Sequence, residues 1–296
     1  MLDQILSVLL LGAVVSAIYA LVAIGFTMIF GVGGVLNLAH GGLIMFGAYA
    51  YMVLTSSSVV GAIAVPPAAG FVIAVVGTAL ASYALYAGLV RYIEDNVVIT
   101  FLSTVMVALL LTNLIHYRFG ANPQGTPSVL SGSLHLEGFG TRIGYMYILG
   151  FVLSWITIGL LWYYVTQTDE GRSILATSMS ERGAQLTGVN LLSVKSRTWL
   201  IAGAFAGIAG VILGTVEPTT PQMWLNPLAN AFIIVVIGGI GSIKGSVVAA
   251  YLIGYLQQFT TEFIGQGYVG IPSLIVLVAV LLLLPEGLYG REFAHE

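Results

Sequence analysis

TDEGRSILATSMSERGAQLTGVNLLSVKSRTW, residues 168–199, interrupts a chain that is otherwise built mostly of apolar runs. It holds Arg172, Arg182, Lys195 and Arg197, four of only nine basic residues. The sequence around it is 58% hydrophobic and 7% charged, with a mean hydropathy of +1.01. A soluble domain carries about 25% charged residues, so this chain cannot cover a water-facing surface. Its solvent is largely lipid. The apolar runs are continuous and rich in Leu, Ala, Gly and Ile, whereas a membrane barrel alternates apolar and polar positions. The expected fold is therefore an all-α, polytopic integral membrane protein.

Hydropathy places helices at roughly 4–30, 38–55, 68–90, 97–116, 144–166, 197–216, 228–240, 245–262 and 268–285. That makes a helical bundle of about eight or nine transmembrane segments, some of them broken. The pair 228–240 and 245–262 is split by GGIGSIKGS and stands either as two short elements or as one broken span. Pro66 and Pro67 mark the entrance to the third span. Residues 117–143, rich in Gly, Pro and Ser, form an expected external loop.

The start, MLDQILSVLL, has Asp3 and no basic residue, so it lacks the positive region of a secretory signal and is expected to open a retained span. With 168–196 facing the cytoplasm, Arg91, Arg172, Arg182, Lys195, Arg197, Lys244 and Arg291 fall inside, and Arg118 and Arg142 outside. Seven against two obeys the positive-inside rule.

Two stretches look broken in similar ways. IFGVGGVLNLAHGGLIMFGAY (29–49) and VIGGIGSIKGSVVAAYLIG (236–254) concentrate glycine, which weakens helix continuity. Irregular backbone at membrane depth survives only where protein or a watery cavity surrounds it, and paired Gly-interrupted segments point to a transport path. Asn37, His40, Gly41, Gly42, Gly239 and Gly241 are the candidate path residues. Hydrogen bonding of the broken backbone is the plainer role for Asn37 and His40. In AGAFAGIAGVILG, the four-residue spacing of Gly203–Gly207 and Gly210–Gly214 favours close helix packing.

Chemistry is sparse. No cysteine is present, which excludes disulfides and thiolate sites. His40, His116, His135 and His295 have no second ligand at helical spacing, so no metal is expected. GIGSIKG (239–245) lacks the βαβ setting of a nucleotide fingerprint, and its Lys precedes the last Gly, so no phosphate loop fits. No catalytic cluster, cofactor or nucleic-acid partner is expected.

The hydrophilic stretch has Ile174, Leu175, Met179, Leu186 and Val189 as an apolar side. It reads as a solvated loop, a surface-lying helix, or a docking helix for a cytoplasmic partner that supplies energy. Lys195, Arg197 and Trp199 suit an interfacial anchor. Thr104 and Asn113 are expected to bond between helices. Glu217 and Glu262 fall at span ends, in the headgroup region or at an external partner's surface.

ERGAQLTGV (181–189), with Ala184 four residues before Gly188, resembles the degenerate EAA loop of ABC importer permeases. LNLAHGGLIMFGAY (36–49), VVIGGIGSIKGSVVAAYLIG (235–254) and LLLLPEGLYG (281–290) narrow this. In order and spacing they resemble branched-chain amino acid ABC transporter permeases of the LivH type, over essentially the full chain. The resemblance implies the cell membrane of a prokaryote and a second, related permease subunit. It also implies two cytoplasmic ATP-binding subunits, an extracytoplasmic solute-binding protein, and alternating access for branched-chain amino acids. Coupling would run through about 171–190, with Arg172, Glu181, Arg182, Ala184 and Gly188 carrying it. Many such permeases have an acidic residue where this chain has Gly42, and relatives for urea, short amides and other small solutes share the architecture. An ion-driven transporter is the rival of another class; it requires ionisable groups in mid-span, and here nearly every charge lies at a helix end or in a loop.

Overall fold

The computed structural model describes residues 2–56, 65–135 and 142–290. Long helices dominate: α1 (Leu2–Gly33), α2 (Ala39–Thr55), α3 (Pro67–Gly88), α4 (Val97–Phe119), α5 (Tyr145–Gln167), then short α6 (Asp169–Met179) and α7 (Glu181–Leu186), followed by α8 (Leu191–Val216), α9 (Leu225–Gly238), α10 (Ile243–Phe263) and α11 (Gly270–Leu283). Pro66 precedes α3 and Pro67 occupies its first turn, where a missing N–H costs nothing. The expected external loop is not all loop. Strands β1 (Ser133–His135) and β2 (Arg142–Gly144) pair antiparallel in it, with Ser133 opposite Gly144, and residues 136–141 lie outside the described residues.

Among the described residues, six helical segments are long and apolar enough to cross a membrane, α11 only together with the short 3₁₀ helix before it (Gln266–Leu283), and α9 with α10 forms a pair bent by 118°. This is a polytopic membrane protein. α2, at 17 residues, and α9, at 14, fall short of the roughly 20 a span requires. Each is completed by irregular chain.

Among the described residues, Arg91, Arg172, Arg182, Lys195, Arg197 and Lys244 gather at one end of the bundle, hereafter the basic end, while Arg118 and Arg142 sit at the other. Arg291 lies outside the described residues. α1 reaches the basic end at Gly33, beside the Lys195 side chain. The chain then turns back, and His40 sits level with Gly25, eight residues up α1, or about 12 Å at 1.5 Å per residue. Residues 34–38 cover that rise without helix, and Thr104 of α4 ties them by accepting from the Leu38 amide (3.2 Å) and donating to the Leu36 carbonyl (3.3 Å).

The segment after α8 does the same from the far end. Thr219 bridges to Gln124 and lies against Gly214, which is level with Ala48 of α2. Trp224 lies level with Gly41, seven residues lower, or about 10 Å. Thus 217–224 dips into the bundle, and α2 and α9 begin beside one another inside it.

α1 packs most extensively on α10, and α3 on α8; α2 lies on α8, and α9 on α1. Matching α1 with α8, α2 with α9, α3 with α10 and α4 with α11 reproduces this pattern, and the two broken segments enter from opposite ends. The architecture is an inverted repeat joined through α5, α6 and α7.

The second glycine-rich stretch, 236–254, corrects the expectation of a matching break. It is a tight turn at the basic end, where Gly239 (φ 96°) and Gly241 (φ 78°) adopt a conformation open to glycine and the chain reverses into α10. The counterpart of 34–38 is 217–224, which carries prolines instead.

Candidate functional site

The hydrophilic stretch folds by successive capping. Thr168, Ser180 and Asn190 each accept a hydrogen bond from the backbone amide three residues on, at Gly171, Gly183 and Ser193. Asp169, Glu170 and Glu181 add negative charge to the first turns of α6 and α7, where the helix dipole favours it. Gly171 admits the Tyr164 carbonyl in space a Cβ would fill, which lets α6 fold tightly back on α5. Gly188 (φ 87°) terminates α7, and Val189 donates to the Ala184 carbonyl.

α6 and α7 bury one face and leave another open. Ile174 packs with Val32 of α1 and Val194 of α8, and Ala184 is buried too. Ala184 therefore faces its own chain and not the open face. Leu175, Met179 (66% exposed) and Leu186 (83% exposed) point outward with Arg172 and Arg182, so the expected apolar side of five residues is divided between an inner and an outer face. Arg172 Nε donates to the Thr166 carbonyl at 3.2 Å.

Lys195 and Trp199 are not an interfacial anchor. α8 starts at Leu191, six residues earlier than expected, and turns both inward. Trp199 stacks on Tyr86 with centroids 5.6 Å apart, while Ser82 donates to its carbonyl. The Lys195 side chain is 9% exposed. Its Nζ lies 3.0 and 3.2 Å from the two oxygens of Glu181 and 3.3 Å from Glu94, in the α3–α4 turn. Burial pushes the Glu94 carboxyl above the usual range against the pull of Lys195; Glu181 and Asp95 add repulsion. Nothing in the sequence pairs these three, since Glu94 and Lys195 stand a hundred residues apart.

Inside the bundle, Asn37 and His40 are fully buried. Neither atom of the Asn37 amide has a protein partner, and neither does His40 Nδ1; His40 Nε2 lies 3.3 Å from the Val22 carbonyl. Trp224 Nε1, at the start of α9 and against Gly41, is likewise unpartnered. A Cβ on Gly41 would stand 2.9 Å from the Trp224 carbonyl, and one on Gly42 would stand 3.3 Å from the backbone of Ala108 in α4. The sequence alone gave no reason to single out Trp224; three prolines around it, Pro218, Pro221 and Pro227, were the available signal.

Gly239 and Gly241 are not brought to this place. Gly239 abuts the C-terminal segment at Gly290, and Gly241 abuts Gly31. Thr104 bonds between elements as expected, but Asn113 does not: it is exposed and donates to Leu109 in its own helix. Glu217 and Glu262 both sit at the far end, closing α8 and α10. Among the described residues no group of His, Asp or Glu could hold a metal ion.

A family profile described as branched-chain amino acid transport system / permease component matches residues 8–285. The chain belongs to this family. It is 28% identical over 288 residues to the high-affinity branched-chain amino acid transport system permease protein LivH of Escherichia coli K12, covering 95% of this chain and 94% of that one. The corresponding protein BraD of Pseudomonas aeruginosa is 29% identical, with the same coverage. Among solved structures, PsaBC from Streptococcus pneumoniae in complex with Fab shares the fold, with a TM-score of 0.52 at 14% identity over 95% of this chain and 94% of that one. The chain is thus a permease component of an ABC importer, and its relatives are transport proteins.

Proposed function

We propose that this permease forms half of a path across a prokaryotic cell membrane for branched-chain amino acids. In this reading it works beside a second permease subunit, receives solute from an extracytoplasmic binding protein and is driven by two cytoplasmic ATP-binding subunits. The observation that supports it most is the outward face of α6 and α7. Leu175, Met179 and Leu186 stand exposed, as do Arg172 and Arg182, on helices whose buried residues Ile174 and Ala184 face the bundle. Exposed apolar side chains and cations on short helices held to the bundle suit insertion into a groove of a partner, and the family supplies that partner as an ATPase. Substrate class rests on relatives matched over nearly the whole chain and named for branched-chain amino acids.

The path runs where α2 and α9 begin side by side. Discontinuous helices beside buried polar groups are how transporters build sites in mid-membrane, and Asn37, His40 and Trp224 supply such groups.

The test is reconstitution of the whole importer in vesicles. Labelled leucine, isoleucine and valine are expected to enter with ATP and loaded binding protein, and urea and acetamide are not. Leu186→Asp is expected to lower retention of the ATP-binding subunits about tenfold, the consequence of losing about 1.5 kcal/mol of apolar burial. Preferential urea entry would overturn the substrate, and undiminished ATPase retention in that variant would overturn the docking face.

A further inference from the structure

Lys195 carries the only buried cluster of opposite charges found among the described residues, and the path does not use it. Its ammonium is shared by Glu181, which opens α7, and Glu94, which sits between α3 and α4. The side chain rises from α8 past Gly33, where α1 ends. One cation thereby links the docking segment to α8 and to the turn between α3 and α4.

We propose that Glu181, Lys195 and Glu94 form a releasable clasp through which α7 pulls on the bundle, so that Lys195 is a positioning residue for coupling ATP hydrolysis to transport. This rests on the reading of α6 and α7 as the ATPase docking segment.

The geometry makes the two carboxylates unequal. Glu181 meets the ammonium with both oxygens and is 42% exposed, so it belongs to the surface side, on the docking segment. Glu94 meets it with one oxygen and is 19% exposed, so it belongs to the fixed side. Breaking a buried ion pair is costly chiefly because it strands an uncompensated charge. Here α7 can move off without stranding Lys195, because Glu94 remains. Two carboxylates on one ammonium also leave a surplus negative charge, which favours departure of the more exposed one.

The two acids therefore act with opposite sign, and this is the signature to measure in the complete importer with labelled leucine as the probe. Glu181→Gln is expected to raise ATP hydrolysed per leucine imported about tenfold, the ratio that one charge-assisted hydrogen bond commands. Glu94→Gln is expected to leave that ratio near the unmodified value while slowing both activities together, because release of α7 then strands the lysine. Lys195→Met is expected to uncouple like Glu181→Gln, and Lys195→Arg to restore coupling.

Equal loss in both glutamine variants with an unchanged ratio would reduce the cluster to a structural tie and overturn the clasp. Should any variant accumulate poorly, the ratio is still read on the assembled fraction. Crosslinking of a cysteine at Leu186 to the ATP-binding subunit separates the two readings. A crosslink with unchanged coupling in Glu181→Gln sinks the clasp alone, and no crosslink in the unmodified importer sinks the docking segment beneath it.

Discussion

At the scale of single residues, Asn37 holds a position that folding alone does not favour. Its amide is buried without a protein partner, a burden of about 1–3 kcal/mol. Leucine, with the same branching of side-chain heavy atoms and no polar atoms, removes that burden. Asn37→Leu is therefore expected to raise the thermal unfolding midpoint in detergent while lowering leucine uptake; unchanged uptake would remove Asn37 from the path. Glu94 is a second, half-buried polar group. Burial holds its carboxyl above the usual range, so the folded chain binds that proton more tightly than the unfolded chain. The stability this gives is complete below the unfolded value and is lost as pH rises through the folded one. Glu94→Gln has no such proton. Its midpoint, relative to the unmodified chain, is expected to climb as pH is raised from about 4 to about 7, the carboxylate range. A flat difference across that window would show that the carboxyl is not held up by burial.

At the scale of helices, the small-residue face of α8 shows how far sequence reasoning reaches. Gly203 and Gly207 receive α3 at Ala79, Ser82 and Val75, while Gly210 and Gly214 receive α2 at Ile44 and Ala48. The four-residue spacing announced close packing because spacing on one helix is a local property. A leucine at Gly210 would drive into the Ile44 backbone, and overpacking of this kind costs about 1–3 kcal/mol; Gly210→Leu is expected to lower the unfolding midpoint, while leucine at open Gly159 is expected not to. Helix positions were legible for the same reason, since an apolar run of span length has few alternatives in lipid. The breaks were only half legible. Glycine serves equally at a mid-bundle interruption and at a tight turn, so 29–49 and 236–254 looked alike although only the first carries its break into the bundle. The true partner, 217–224, looked like an outside loop because its Pro and Thr content describes backbone irregularity and not depth. Lys195 was misjudged likewise. A lysine near a helix end is usually an anchor, and only the arrival of Glu94 and Glu181 from distant turns makes its burial tolerable.

For the molecule as a whole, two inverted halves would be nearly indifferent to orientation if charge did not distinguish their ends. Six of the eight described basic residues, Arg91, Arg172, Arg182, Lys195, Arg197 and Lys244, lie at the basic end, against Arg118 and Arg142 at the other. All six sit in or beside short connections, where positive charge controls insertion most strongly. The same end carries the exposed face of α6 and α7, so orientation and coupling stand or fall together. In the proposed reading that face meets the cytoplasm, and the β1–β2 segment with the dip at 217–224 faces the binding protein. The chain has no cysteine, so single substitutions give labels without background. A cysteine at Leu186, exposed on α7, is expected to react with a membrane-impermeant maleimide only after the cells are opened. One at Gln222, exposed in the dip, is expected to react on intact cells and to be shielded by loaded binding protein. Labelling of Leu186→Cys from outside would invert the bundle and remove ATP as its driver, because the docking face and the nucleotide would then lie on opposite sides of the membrane.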